Sequence, residues 1–124
     1  MPKKILIVDD EPDLLRVTTF RLKKAGYEIS SATNGQEALD LIRANPPDLV
    51  LLDLRLPLID GYEVCRQVKS DPGLKHVPVI LFTASIGHDI SETVKKVMAD
   101  DYVIKPFEPD DLLSKIKKLI GFDP

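Results

Sequence analysis

Five short apolar runs punctuate the chain, at 5–8, 27–32, 49–52, 77–82 and 102–104. Each is too short for a helix and is bounded by polar, glycine or proline residues, which predicts five strands. Segments of helical period alternate with them. Gly61, Val64, Cys65 and Val68 fall at i, i+3, i+4 and i+7, and Leu112, Leu113, Ile116, Leu119 and Ile120 repeat the spacing near the end. Shorter stripes run through Ala38, Leu41 and Ile42 and through Ile90, Val94 and Val97. A first helix over 12–25 would present Leu14, Val17 and Leu22. Strand and helix in strict alternation predict an α/β fold, a doubly wound parallel sheet with helices on both faces. The runs at 5–8, 49–52 and 77–82 are almost wholly apolar, as central strands covered on both sides should be. The segment 27–32 alternates and 102–104 is short, so both suit edges. This fits one known order for such sheets, 2-1-3-4-5.

The 124 residues suit one domain, 1–124, with no repeat, linker or low-complexity segment. Hydrophobic residues make up 44% and charged residues 30%, which argues against disorder and against a membrane protein. The N-terminus lacks a signal-peptide core, and the single cysteine, Cys65, cannot close an internal disulfide. Both point to the cytoplasm. A net charge of −3 lacks the basic excess of a nucleic-acid binder. Lys95, Lys96, Lys115, Lys117 and Lys118 read as solvated helix faces or as part of a partner surface.

The chemistry gathers where strands end. Asp9, Asp10 and Glu11 follow the first strand, Asp53 the third, Thr83 the fourth and Lys105 the fifth. In a parallel sheet these ends form one rim, and ligands bind where the strand order reverses, between strands 1 and 3. Adjacent strands lie about 4.8 Å apart, so Asp10 and Asp53 become neighbours. Like charges about 4 Å apart repel by roughly 4 kcal/mol at an effective dielectric near 20, so the rim needs cations. Lys105 supplies one, and a divalent ion such as Mg²⁺ suits a set of carboxylates and water. The plainer reading makes Asp9, Asp10 or Glu11 helix caps and Asp53 a turn residue. It requires four strand ends to carry such groups by accident.

At these residues the chain resembles the receiver domains of two-component response regulators. The matching segments are 8–11 (VDDE), 52–61 (LDLRLPLIDG), 82–84 (FTA) and 100–107 (DDYVIKPF). The resemblance spans essentially the whole chain and implies the flavodoxin-like (βα)5 topology. It implies Asp53 as phosphoacceptor, Asp10 as a direct Mg²⁺ ligand, Asp9 as one acting mainly through water, and the backbone carbonyl of Arg55 as a further ligand. It also implies catalytic roles for Thr83 and Lys105 beside Asp53, a switch formed by Thr83 and Tyr102, and a cis Lys105–Pro106 bond. The chemistry expected is carboxylate attack on a phosphohistidine, with the domain catalysing its own phosphorylation and dephosphorylation. The phosphoryl charge would then bias a face built from the fourth helix, fifth strand and fifth helix. The partners implied are a sensor histidine kinase or a histidine phosphotransfer protein, a downstream protein target, and a second copy of the chain as a further candidate. Direct contact with nucleic acid or membrane is not expected.

Two positions depart from the family pattern. Arg55 stands where Met or Asn is frequent, and Met98 where glycine is frequent before Ala99. The first puts phosphoryl lifetime in question and the second the turn into strand 5. Cys65 lies on an apolar stripe and reads as core, whereas His76 and His88 read as surface. A flavin carrier on this fold would need a Ser, Thr and Gly loop where Asp9-Asp10-Glu11 stands. Dinucleotide and P-loop motifs are absent. The remaining alternative is a receiver-like module that binds partners without phosphorylation. With no output domain after the last helix, the chain is expected to be either a stand-alone regulator or part of a longer one.

Overall fold

The computed structural model describes residues 2–83, 90–105 and 107–121. Five strands alternate with five helices: β1 (Lys4–Val8), α1 (Pro12–Lys24), β2 (Glu28–Ala32), α2 (Gly35–Ala44), β3 (Leu49–Asp53), α3 (Gly61–Ser70), β4 (Val79–Thr83), α4 (Ile90–Val97), β5 (Asp101–Ile104) and α5 (Pro109–Ile120). All four strand pairings are parallel, in the order β2-β1-β3-β4-β5. Burial follows the sequence pattern. Every residue of β3 and β4 is buried, while at the edges β2 is largely exposed and β5 partly so.

Because successive side chains on a strand alternate in direction, the central strands feed two separate cores. One, with Leu6, Val8, Val50, Leu52, Val79 and Leu81, lies under α2, α3 and Val97 of α4. The other, with Ile5, Ile7, Leu49, Leu51, Ile80 and Phe82, lies under α1 and α5. α3 buries the four residues its period predicts, Gly61, Val64, Cys65 and Val68. Two helices are rotated from expectation. α2 buries Gly35, Ala38, Leu39 and Ile42, leaving Leu41 exposed, because the i, i+3, i+4, i+7 stripe starts from the first residue of the helix. α1 turns Leu15, Thr18 and Leu22 inward and leaves Val17 exposed, its seat on the sheet being set by the packing of Leu22. β4 begins at Val79 rather than 77, since the Val77 N–H closes a turn onto the Leu74 carbonyl. Tyr27 likewise falls outside β2: its N–H bonds the Leu22 carbonyl, and its hydroxyl donates to the Gly121 carbonyl at 3.1 Å.

Among the described residues, two helix starts carry side-chain caps. Asn34 accepts from the Glu37 N–H and Asp60 from the Glu63 N–H. α1 and α5 open instead on Glu-Pro, with proline in the first turn and no side-chain cap. Met98 itself takes the left-handed backbone (φ 63°) that glycine adopts without strain, so the turn into β5 is retained with methionine in it. His76 is exposed and Cys65 buried, as expected, while His88 lies outside the described residues.

Candidate functional site

The register sets Val8 beside Leu52, Asp53 beside Phe82 and Thr83 beside Ile104. The residues just past these pairs therefore meet on one rim. Asp9 is held there by its N–H, which bonds the Ala32 carbonyl, and Lys105 by its N–H on the Thr83 carbonyl at 2.7 Å. One carboxylate oxygen from each of Asp9, Asp10 and Asp53 lies within 4.8 Å of the other two. Asp9 is fully enclosed, Asp53 nearly so, and Asp10 is exposed at the rim.

Lys105 Nζ sits at the centre of the cluster. It donates to Asp53 Oδ2 at 2.9 Å, to Asp9 Oδ2 at 3.2 Å and to Glu11 Oε1 at 3.3 Å. The remaining oxygens accept from backbone: Asp9 Oδ1 from the Glu11 N–H, and Asp53 Oδ1 from the Arg55 N–H. Burial pushes the Asp9 carboxyl above the ordinary aspartate range, against the Glu11 N–H and the Lys105 charge, with Asp53 adding to the rise. Burial also pulls the Lys105 ammonium down, but the hydrogen bonds and charges of Asp53 and Asp9 outweigh it, and its pKa lies above the usual lysine value. Lys105 further lies 5.9 Å from the centre of the Phe82 ring, which stacks on Phe107. Three carboxylates bond one ammonium and a fourth, that of Asp10, lies beside Asp9 and Asp53, and this excess of hard oxygen donors suits a hard divalent cation.

The loop after β3 is shaped by close backbone approach. The Ile59 N–H bonds the Pro57 carbonyl around Leu58, whose φ is 69°. A Cβ on Gly61 would lie 2.1 Å from the Asp53 carbonyl oxygen, so only glycine fits where α3 starts against the end of β3.

Sequence reasoning thus placed Asp9, Asp10, Asp53 and Lys105 together correctly, and Thr83 is buried at the adjacent strand end. Arg55 has an exposed side chain, and its N–H faces Asp53. Tyr102 is half-buried two residues short of the rim on β5, with Lys115 Nζ 5.4 Å from its ring centre and bonded to its carbonyl. Pro106, and with it the expected cis bond, lies outside the described residues. Glu11 was read as an acidic residue of the first loop or a helix cap; it makes no side-chain cap, and its contact with Lys105 was missed. The signal was present: a glutamate before proline at a helix start is a poor cap.

A doubly wound parallel sheet with an acidic, lysine-centred rim at the reversal of strand order defines the class. The family model of the response regulator receiver domain matches residues 5–117, and the chain belongs to that family: it is a receiver domain of two-component systems. A relative described as a probable transcriptional regulator, ycf27 of Cyanophora paradoxa, is 40% identical over 120 residues, covering 95% of this chain and 48% of the relative. The chain therefore spans about half the length of the curated relatives it matches. Among solved structures, the signal receiver domain of a signal transduction histidine kinase from Syntrophus aciditrophicus superposes with a TM-score of 0.90 at 34% identity, over 96% of this chain and 90% of that one. The receiver domain of the sensor histidine kinase PA1611 from Pseudomonas aeruginosa, which has magnesium coordinated in its active-site cleft, gives a TM-score of 0.89 at 29% identity, covering 98% and 99%. Among the described residues no helix is long and apolar enough to cross a membrane.

Proposed function

We propose that the whole chain, 1–124, is one receiver domain in which Asp53 accepts the phosphoryl group, with Mg²⁺ held by Asp10, Asp53 and the backbone carbonyl of Arg55, and by Asp9 mainly through water. The observation that carries this is the convergence of the Asp9, Asp10 and Asp53 carboxylates within 4.8 Å of one another, with Lys105 bonded to Asp9 and Asp53. Asp10 stands at the exposed rim whereas Asp9 is enclosed behind it, which supports their division into direct and outer ligand. The magnesium in the cleft of the Pseudomonas relative supports the choice of ion. When bound, the ion supplies positive charge against the oxygens of the transferring group.

In the reaction an Asp53 oxygen attacks phosphorus while the P–N bond to the donor imidazole breaks, and the imidazole leaves with the electron pair. The Arg55 N–H and Lys105 orient the Asp53 carboxylate for this, and Lys105 shares the charge gathering on the equatorial oxygens. The resulting acyl phosphate is later hydrolysed within the same site. The donor is a phosphohistidine on a sensor kinase or phosphotransfer protein.

Thr83 reports the phosphoryl group to Tyr102. Leu81 pairs with Tyr102, and Thr83 lies two residues beyond Leu81, so both side chains project from the same face of the sheet. The output is a face of α4, β5 and α5 that binds a downstream protein or a second copy of the chain. A relative about twice this length is described as a probable transcriptional regulator, which supports a transcriptional output for such a receiver.

Mass spectrometry after incubation with acetyl phosphate and Mg²⁺ tests the reading. The chain should gain one phosphoryl group, and Asp53→Asn should gain none. An unmodified parent chain would favour a module that binds partners without phosphorylation.

A further inference from the structure

Glu11 stands at the N-cap of α1, yet its side chain caps nothing there. Glutamate caps poorly beside the shorter Asp, Asn, Ser and Thr, so little holds its side chain at the helix end. Here it reaches across to Lys105 instead. The three N–H groups of that ammonium meet three carboxylates, Asp53, Asp9 and Glu11. The partners differ in what they lose if Lys105 leaves. The side chains of Asp9 and Asp53 are 0% and 9% exposed, whereas that of Glu11 is 63% exposed. Replacing the ammonium by water costs far less at exposed Glu11 than at enclosed Asp9. A phosphoryl group on Asp53 brings oxygens that call for charge-assisted hydrogen bonds, and Lys105 has no fourth N–H to offer.

We propose that Glu11 is a positioning residue for Lys105, one that holds the ammonium over bare Asp53 and surrenders it when the phosphoryl group arrives. The proposal rests on the reading of Asp53 as phosphoacceptor. Glu11 consequently competes with the phosphoryl oxygens for one cation, and removing its charge strengthens the phosphoryl-bearing state.

Beryllofluoride, an analogue of the phosphoryl group, reads this out as a binding constant in an NMR titration at saturating Mg²⁺. Glu11→Gln should bind it about two- to fivefold more tightly than the parent, the scale of a partly exposed ion pair. Asp13→Asn removes the same charge from the same end of α1. Asp13 is almost fully exposed and pairs with Arg16 rather than Lys105, so its removal should leave the affinity unchanged. In a Lys105→Met background the gain from Glu11→Gln should vanish, because nothing is left to compete for. Equal gains from Glu11→Gln and Asp13→Asn would reduce the effect to net charge at the mouth and overturn the proposal. So would a gain that persists without Lys105. Normal binding by the parent with no change in Glu11→Gln overturns the positioning role alone. A parent chain that binds no beryllofluoride overturns the phosphoacceptor reading together with it.

Discussion

Asp9 shows what one residue bears in this site. It is fully enclosed among polar neighbours, and its carboxyl is raised above the ordinary value of 3.8, chiefly by burial. The folded chain therefore holds the Asp9 proton more tightly than the unfolded chain does. Its ionisation destabilises the metal-free fold as pH rises from the ordinary value through the raised one. At neutral pH without metal, Asp9→Asn should accordingly be more stable than the parent, and the difference should close as pH falls toward 3.8. Urea unfolding of both chains across that range checks this, and saturating Mg²⁺ should narrow the neutral-pH difference. Gly61 acts by its lack of a side chain. A Cβ there would meet the Asp53 carbonyl oxygen at 2.1 Å and Leu54 Cα at 2.7 Å, both backbone atoms that cannot swing away. Gly61→Ala should cost about 2–3 kcal/mol by denaturant unfolding and should displace the end of β3, slowing phosphoryl uptake. Asp9 as a member of the site was legible from its position after a strand. Its complete enclosure was not, because burial depends on the neighbouring strands.

At the scale of elements, the caps and prolines in the chain mark where helices begin, and the apolar runs mark the strands. The rotation of α1 and α2 was misjudged because an apolar stripe on a short helix is ambiguous by one residue, and only contact with the sheet selects Thr18 over Val17 or Leu39 over Leu41. One link between elements has no sequence signature at all. Lys69, near the end of α3, is 8% exposed and donates to Asp100 Oδ2 and the Val77 carbonyl, both at 2.8 Å. The same Asp100 oxygen accepts the N–H of Val79. This pair ties the end of α3 to the starts of β4 and β5, beside the strained turn at Met98. Lys69→Met should destabilise the fold by about 2–3 kcal/mol, toward the lower end for breaking a buried pair because Asp100 is partly exposed. Thermal and urea unfolding measure it.

At the scale of the molecule, a chain of net charge −3 gathers four carboxylates and one ammonium at a single rim, three of the carboxylates bonded to it. That concentration is stored repulsion, and a cation that binds only the folded arrangement relieves it. Mg²⁺ should therefore stabilise the fold by about 2.7 kcal/mol at a hundredfold excess over its dissociation constant. The rise in unfolding midpoint with Mg²⁺ should be largely lost in Asp10→Asn. The two cores divide labour around the same rim. The one under α1 and α5 supports Lys105 through Phe82 and Phe107, and the one under α2, α3 and α4 carries Tyr102.

The alternation of apolar runs with helical stripes determined the α/β class, and the polar residues at four strand ends determined which groups would share a rim. Both are readable because they depend on local period and on the direction every parallel strand must run. Tertiary structure alone decided that Lys105 takes Glu11 as its third partner, that Asp9 is fully enclosed, and that Lys69 joins three elements. Each of these depends on contacts between residues far apart in the chain, whose distances no local pattern encodes.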